Sequence, residues 1–409
     1  TLNMPLESWI NRSVLGTPPD PYLAAARAMA RSAQAGCCAM MIHYTKPSGQ
    51  MDMVSEAREI GRAAQDVGIR LAFALSVRDQ NPVVYGDASE IFARMPSESS
   101  ATMEALFAQA VVRPEDYLDL IDNVAGEIAG PMIDVQYGPA GVQWCSKPLL
   151  EAIARRSAET GRRIHMHLLE TIYQRRWADQ EFPRGVVRYL ADIGFLSDRV
   201  TLAHCIHATP EELNLIASSG ARIVTNFSSN MHLRSGLAPI ASAYRCGCSI
   251  AVGVDGLALD EDDDALREMR LVQMAHAGIG YDATWTPGEF FSHTIRNGRA
   301  ATGSPGHGEL AAGMPADFIV IDLDRLDRDR FVDVDPLELL FARGNASMIQ
   351  DVFVSGRAIV RNARVVSVDL GRIEDELRLK YRSAQAAYGN FSNAWPSLHK
   401  LSQDWYQQL

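Results

Sequence analysis

The stretch Arg163-Ile164-His165-Met166-His167-Leu168-Leu169-Glu170-Thr171 decides how this chain is read. Its apolar residues carry two histidines at a spacing of two, and a β-strand sends side chains at that spacing to one side. Glu170, three residues past His167, would face away if the strand ran on. It can work with His167 only if the strand ends near Leu168 and the chain turns. A metal ligand at a strand's last inward position, followed by a carboxylate on the first loop residues, is what the C-terminal face of a (β/α)8 barrel offers. The alternative is a strand with two hydrogen-bonded core histidines and a solvated Glu170. The flanking sequence separates the two.

Outward from this stretch, strand and helix patterns alternate. Upstream, a polar opening with Pro18-Pro19-Asp20-Pro21 precedes a helix pattern from Tyr22 to Ala35 closed by Gly36. Strand patterns at 37–42 and 70–75 flank a helix pattern at 55–67. The text from about 80 to 128 is irregular and reads as an insertion over one end of the barrel. A strand at 132–136 and a helix at 147–160 lead into the central stretch. Downstream come a helix at 183–193, a strand at 199–203 ending at His204, a helix at 210–219 and a strand at 222–225 ending at Asn226. After a loop at 227–236 follow a helix at 238–245 and a strand at 249–254 ending at Asp255. Such alternation predicts an α/β fold with a parallel sheet and helices on its faces, and seven units can be counted. Alternating segments at 317–322, 349–354 and 358–368 predict the C-terminal part of a small β-sandwich domain over 301–370. A helix and a polar tail at 371–409 follow the barrel region of 1–300.

Composition narrows the function. A net charge of −11 with no block of Lys or Arg gives no footprint for nucleic acid or anionic membrane, and no apolar run is long enough for a membrane span. The six cysteines have neither disulfide-framework spacing nor a CxxC pair, which points to a reducing cytoplasm. The expected partner is a small-molecule substrate, with a homo-oligomer as the expected assembly.

His43, His167, His204, Asn226 and Asp255 each stand where an apolar strand stops, and in a parallel barrel those ends share one rim. Neutral imidazoles with one carboxylate suit a divalent cation with an open position, zinc first, with iron, cobalt or manganese as alternatives. Several motifs occur in order: His167-Leu-Leu-Glu170; Ala203-His204-Cys205; Asn226 with Ser228-Ser229-Asn230 and Gly236-Leu-Ala-Pro239; and Gly253-Val-Asp255-Gly256. Together with Asn297-Gly-Arg-Ala300 and Gly313-Met-Pro-Ala-Asp317 they resemble the cytosine-deaminase and chlorohydrolase-like branch of the amidohydrolase superfamily over nearly the whole chain.

That resemblance implies a metal-dependent hydrolase with His167 as the fifth-strand metal ligand and Asp255 as the eighth-strand one. Glu170 would shuttle protons and His204 would hydrogen-bond the attacking water or the substrate. It implies deamination of a nitrogen-rich heterocycle, with amide, urea, carbamate or ring C–Cl hydrolysis as neighbouring chemistry. With no lysine at the end of the 132–136 strand to bridge two metals, one metal is expected. Relatives carry a His-x-His pair on the first strand, and no such pair precedes His165 here. The first strand is therefore read as missing from this chain, and its ligands are expected upstream of Thr1. A barrel that has lost its metal and serves as a binding or structural subunit is the alternative of another class. Lesser expectations are His165 behind the ligands, and His43, Arg78, Trp144 and Asn230 contacting substrate. The acidic run Asp260–Asp264 reads as a helix start.

Overall fold

The computed structural model describes residues 4–108, 112–256 and 262–409. Seven strands form one parallel sheet in sequence order: β1 (Ala39–Tyr44), β2 (Arg70–Val77), β3 (Ile133–Pro139), β4 (Ile164–Leu168), β5 (Val200–His204), β6 (Arg222–Thr225) and β7 (Ser249–Val252). The sheet curls as a (β/α)8 barrel does, with helices outside. β2 shows why these stretches become strands: seven of its eight residues are buried, as in a strand covered on both faces. Among the described residues β7 and β1 share no hydrogen-bonded pairing, so the sheet is open along that edge.

Helix boundaries follow local signals. Lys147–Thr160 begins behind the Ser146 cap and ends at Gly161 in the left-handed region, while Thr209 and Glu212 form a capping box on Pro210–Ser219. Asp264 caps Ala265–His276 as the acidic run suggested; positions 260 and 261 of that run lie outside the described residues.

Two expectations need correction. The 80–128 stretch is only partly an insertion: Pro114–Ile128 is an amphipathic helix packed on Met53–Val67, Lys147–Thr160 and β3, so it belongs to the outer ring. Its pattern was hidden by the two short helices before it, Ser89–Arg94 and Ser97–Phe107. The helix expected at 183–193 is Val186–Asp192, entered through Gly185 at φ +93°, and a further helix that was not expected, Ile172–Glu181, precedes it. The small domain is a four-stranded antiparallel sheet among the described residues. Its strands are β8 (Phe318–Ile321), β9 (Ile349–Val354), β10 (Arg357–Arg361) and β11 (Arg364–Val365).

Buried Arg70, at the start of β2, pairs with Asp317 beside β8 at 2.8 Å and ties this sheet to the barrel. The tail forms helices Leu370–Ala384 and Gly389–Gln408, and the last one packs on Ser97–Phe107 and Leu6–Arg12 of its own chain. No described helix is long and apolar enough to cross a membrane.

Candidate active site

Register puts the candidate groups on one rim. His167 lies opposite Ala203 and Leu168 opposite His204, while Thr225, the last residue of β6, pairs with Val252, the last of β7. The chain breaks strand geometry just there: Leu169, His204, Cys205 and Asp255 all have positive φ, between 49° and 74°. Non-glycine residues in this region carry strain that the surrounding fold has to hold. The strain at these strand ends turns Glu170 and Asp255 back toward the axis.

Glu170, His204 and Asp255 each offer a ligand atom, all within 4.8 Å of one another. Nε2 of His204 lies 3.6 Å from Oε2 of Glu170 and 3.9 Å from Oδ2 of Asp255. Nδ1 of His204 faces Oδ1 of Asn230 at 2.8 Å, which puts the ring proton on Nδ1 and the lone pair on Nε2. His167 is arranged the same way. Its Nδ1 sits 2.7 Å from the Ala140 carbonyl, which can only accept, so its Nε2 is also unprotonated. The His167 ring stacks on His204 with centroids 5.7 Å apart and planes at 22°; it lies beside the three-residue cluster instead of within it.

Burial sets the protonation states. Desolvation, then the neighbouring histidines, pulls His165 down to about 3; desolvation, then His204, pulls His167 down to about 4. Burial also lowers His204, partly opposed by Asp255. Glu170 moves the other way: burial, then Asp255, raises it well above the usual carboxylate range. Glu170 is 2 % exposed, whereas the Asp255 side chain is 25 % exposed and accepts from the Ser229 hydroxyl. The unprotonated imidazole nitrogens and the Asp255 carboxyl group on this rim suit a divalent cation. Oε1 of Glu170, buried and without a hydrogen-bond partner, is left for a ligand.

The remaining expected residues divide. His43, Arg78, Trp144 and His165 line the same cavity of about 1790 Å³ as His167, Glu170, His204 and Asp255. His165 pairs with His43, Nδ1 to Nδ1 at 3.0 Å, and so supports His43 more directly than it supports His167. Trp144 is buried and packs edge-on against Tyr85 at 5.8 Å. Asn230 does not border the cavity; it is 1 % exposed behind His204 and orients that ring. Replacing it with alanine leaves a buried N–H without an acceptor, an expected cost of about 1–3 kcal/mol in urea unfolding. Unchanged stability would remove this role. Sequence reasoning missed Ser229, Ala140 and Glu7, whose contribution is made through contacts distant in the chain. Asn226 also lines the cavity, and Gly253 makes room for it: a Cβ there would stand 2.6 Å from Oδ1 of Asn226.

Known proteins share this architecture. The chain is 28% identical over 245 residues to 5'-deoxyadenosine deaminase of Methanosarcina barkeri, covering 60% of this chain and 56% of that one. It is 30% identical over 241 residues to 5-methylthioadenosine/S-adenosylhomocysteine deaminase of Nitratidesulfovibrio vulgaris, covering 59% and 54%. It therefore spans little more than half the length of these relatives. The zinc complex of atrazine chlorohydrolase from Arthrobacter aurescens superposes with a TM-score of 0.77 at 23% identity, over 93% of this chain and 83% of that one, a likeness of fold. The sequence pattern of the Amidohydrolase family matches residues 1–359, and with the parallel barrel and the rim cluster already described, this chain belongs to that family.

Proposed function

We propose that this protein hydrolyses a carbon–nitrogen bond other than a peptide bond, releasing ammonia from an amino-substituted nitrogen heterocycle of the adenosine-analogue type. The observation that carries this reading is the cluster of Glu170, His204 and Asp255, whose ligand atoms face one another on the rim. The deaminase names of the relatives support the choice of leaving group. His167 and Asp255 would hold a single divalent cation, zinc by preference. Such a cation supplies Lewis acidity that makes water nucleophilic near neutral pH.

The chain's own groups do the rest. Asp255, held by the Ser229 hydroxyl, accepts a proton from the attacking water at a carboxylate oxygen. Glu170, kept uncharged by burial, has its unpartnered Oε1 available to pass a proton to the leaving nitrogen. His204 presents its Nε2 lone pair to the same space and fixes the direction of approach. His43, Arg78 and Trp144 contact the substrate from the cavity wall. Six free cysteines suit a reducing cytoplasm. Exposed Ile279 and Tyr281, on the hairpin at 278–283, offer an apolar contact to a second copy in a homo-oligomer.

Elemental analysis and ammonia release from 5'-deoxyadenosine test the reading. The protein is expected to retain zinc through dialysis and to release ammonia. Turnover of an aryl urea or a chlorotriazine with none of any aminopurine would replace the leaving group.

A further inference from the structure

The first helix, Leu6–Arg12, buries a carboxylate that the chemistry above does not use. Glu7 is 2 % exposed, and unlike its neighbours Leu6 and Trp9 it does not line the cavity. Its Oε1 accepts from Oη of Tyr85 at 2.9 Å and from Oγ1 of Thr171 at 2.5 Å. Burying a carboxyl group costs free energy that an apolar residue would avoid, so a residue serving only to pack the helix would not need this chemistry.

The hydrogen bonds continue from Glu7 to the rim. Thr171 caps Ile172–Glu181, and its Oγ1 accepts from the backbone N–H of Gln174 at 3.2 Å. Oε1 of Gln174 accepts in turn from the backbone N–H of Glu170 at 2.8 Å. Those two bonds hold a turn whose preceding residue, Leu169, sits at φ +50°. The Thr171 hydroxyl has one proton. Glu7 takes it, which leaves the hydroxyl's lone pairs for the cap. Tyr85, the other donor to Glu7, is held by Tyr406 of the last helix at a ring separation of 5.2 Å. The two ends of the chain thus meet behind the Glu170 turn.

We propose that Glu7 is a positioning residue for Glu170, acting through the Thr171 hydroxyl to hold the turn from which the Glu170 carboxyl reaches the rim. This rests on Glu170 being the proton donor of the proposed reaction. A misplacement of about 1 Å at such a group can cost a hundredfold in rate. The loss should fall on kcat and leave KM unchanged, because Glu7 does not border the cavity.

Four variants of the whole protein test this with 5'-deoxyadenosine as substrate. Glu7→Ala is expected to lower kcat by about 10–100-fold. Glu7→Gln is expected to recover most of it, since an amide oxygen can accept both hydroxyl hydrogen bonds. Thr171→Val, which leaves Glu7 in place, should reproduce the alanine loss. The double variant E7A/E170Q should be no slower than E170Q beyond about twofold, because two residues acting through one group are not additive. Hydrogen exchange of the amides at 170–174 should speed up in E7A and in T171V but not in E7Q. Wild-type kcat in E7A, losses that multiply in the double variant, or unchanged exchange in T171V would overturn the proposal. If E7A fails to fold, E7Q and T171V decide it. If the unmutated protein releases no ammonia, the proposed reaction fails, and the exchange measurement still decides whether Glu7 holds the turn.

Discussion

Replacing Glu170 with glutamine is expected to slow ammonia release by about 10²–10⁴-fold, the range a positioned general acid contributes. The variant should fold, because the contact that orients this segment uses the backbone N–H of Glu170 bound to Gln174, and an amide side chain leaves it intact. The same substitution has a signature in stability. Burial, then Asp255, raises the folded-state pKa of Glu170 above its ordinary value. A carboxyl shifted this way contributes stability that is full below about pH 4.3, the range of an unperturbed glutamate, and is lost as pH rises through the folded-state value. Glu7, also raised chiefly by burial, contributes with the same sign. The chelator-treated protein should therefore lose thermal stability as pH increases, and E170Q should flatten that dependence in part. Full turnover in E170Q would remove Glu170 from the chemistry. Superimposable Tm–pH curves would show that its carboxyl is not held neutral by the fold.

Asp255→Asn is expected to separate metal binding from folding. In chelator the variant should melt higher than the unmutated protein, because the carboxylate that helps raise the Glu170 pKa in the folded state has been removed. Asparagine tolerates the φ of +62° found there and can still accept from Ser229. With zinc the order should reverse. A ligand at 100 times its Kd stabilises the form that binds it by about 2.7 kcal/mol, and the variant should gain little because an amide is a poor replacement for an anionic donor. Thermal melts with and without zinc, joined to elemental analysis, read both effects. An equal zinc-induced shift in both proteins would exclude Asp255 from the ligand set.

Much of the architecture is legible in the chain itself. The seven strand–helix units, the stop of β4 at Leu168 and the limits of Lys147–Thr160 and Pro210–Ser219 follow from apolar period, caps and glycine positions. The stretch at 80–128 was less legible because two short helices interrupt the pattern before Pro114–Ile128. Asn230 was expected at the substrate because it stands in a loop beyond a strand end, yet its side chain points back to His204.

By itself, then, the sequence determined which segments are strands and helices, and which strand ends carry polar groups, because periodicity and capping act over a few neighbouring residues. Only the tertiary structure decided which of those groups meet. The ring of His204 is oriented from 26 residues away and Thr171 is held from 164 residues away. A hydrogen bond requires two atoms within about 3 Å, and the register and curl of the whole sheet set that separation.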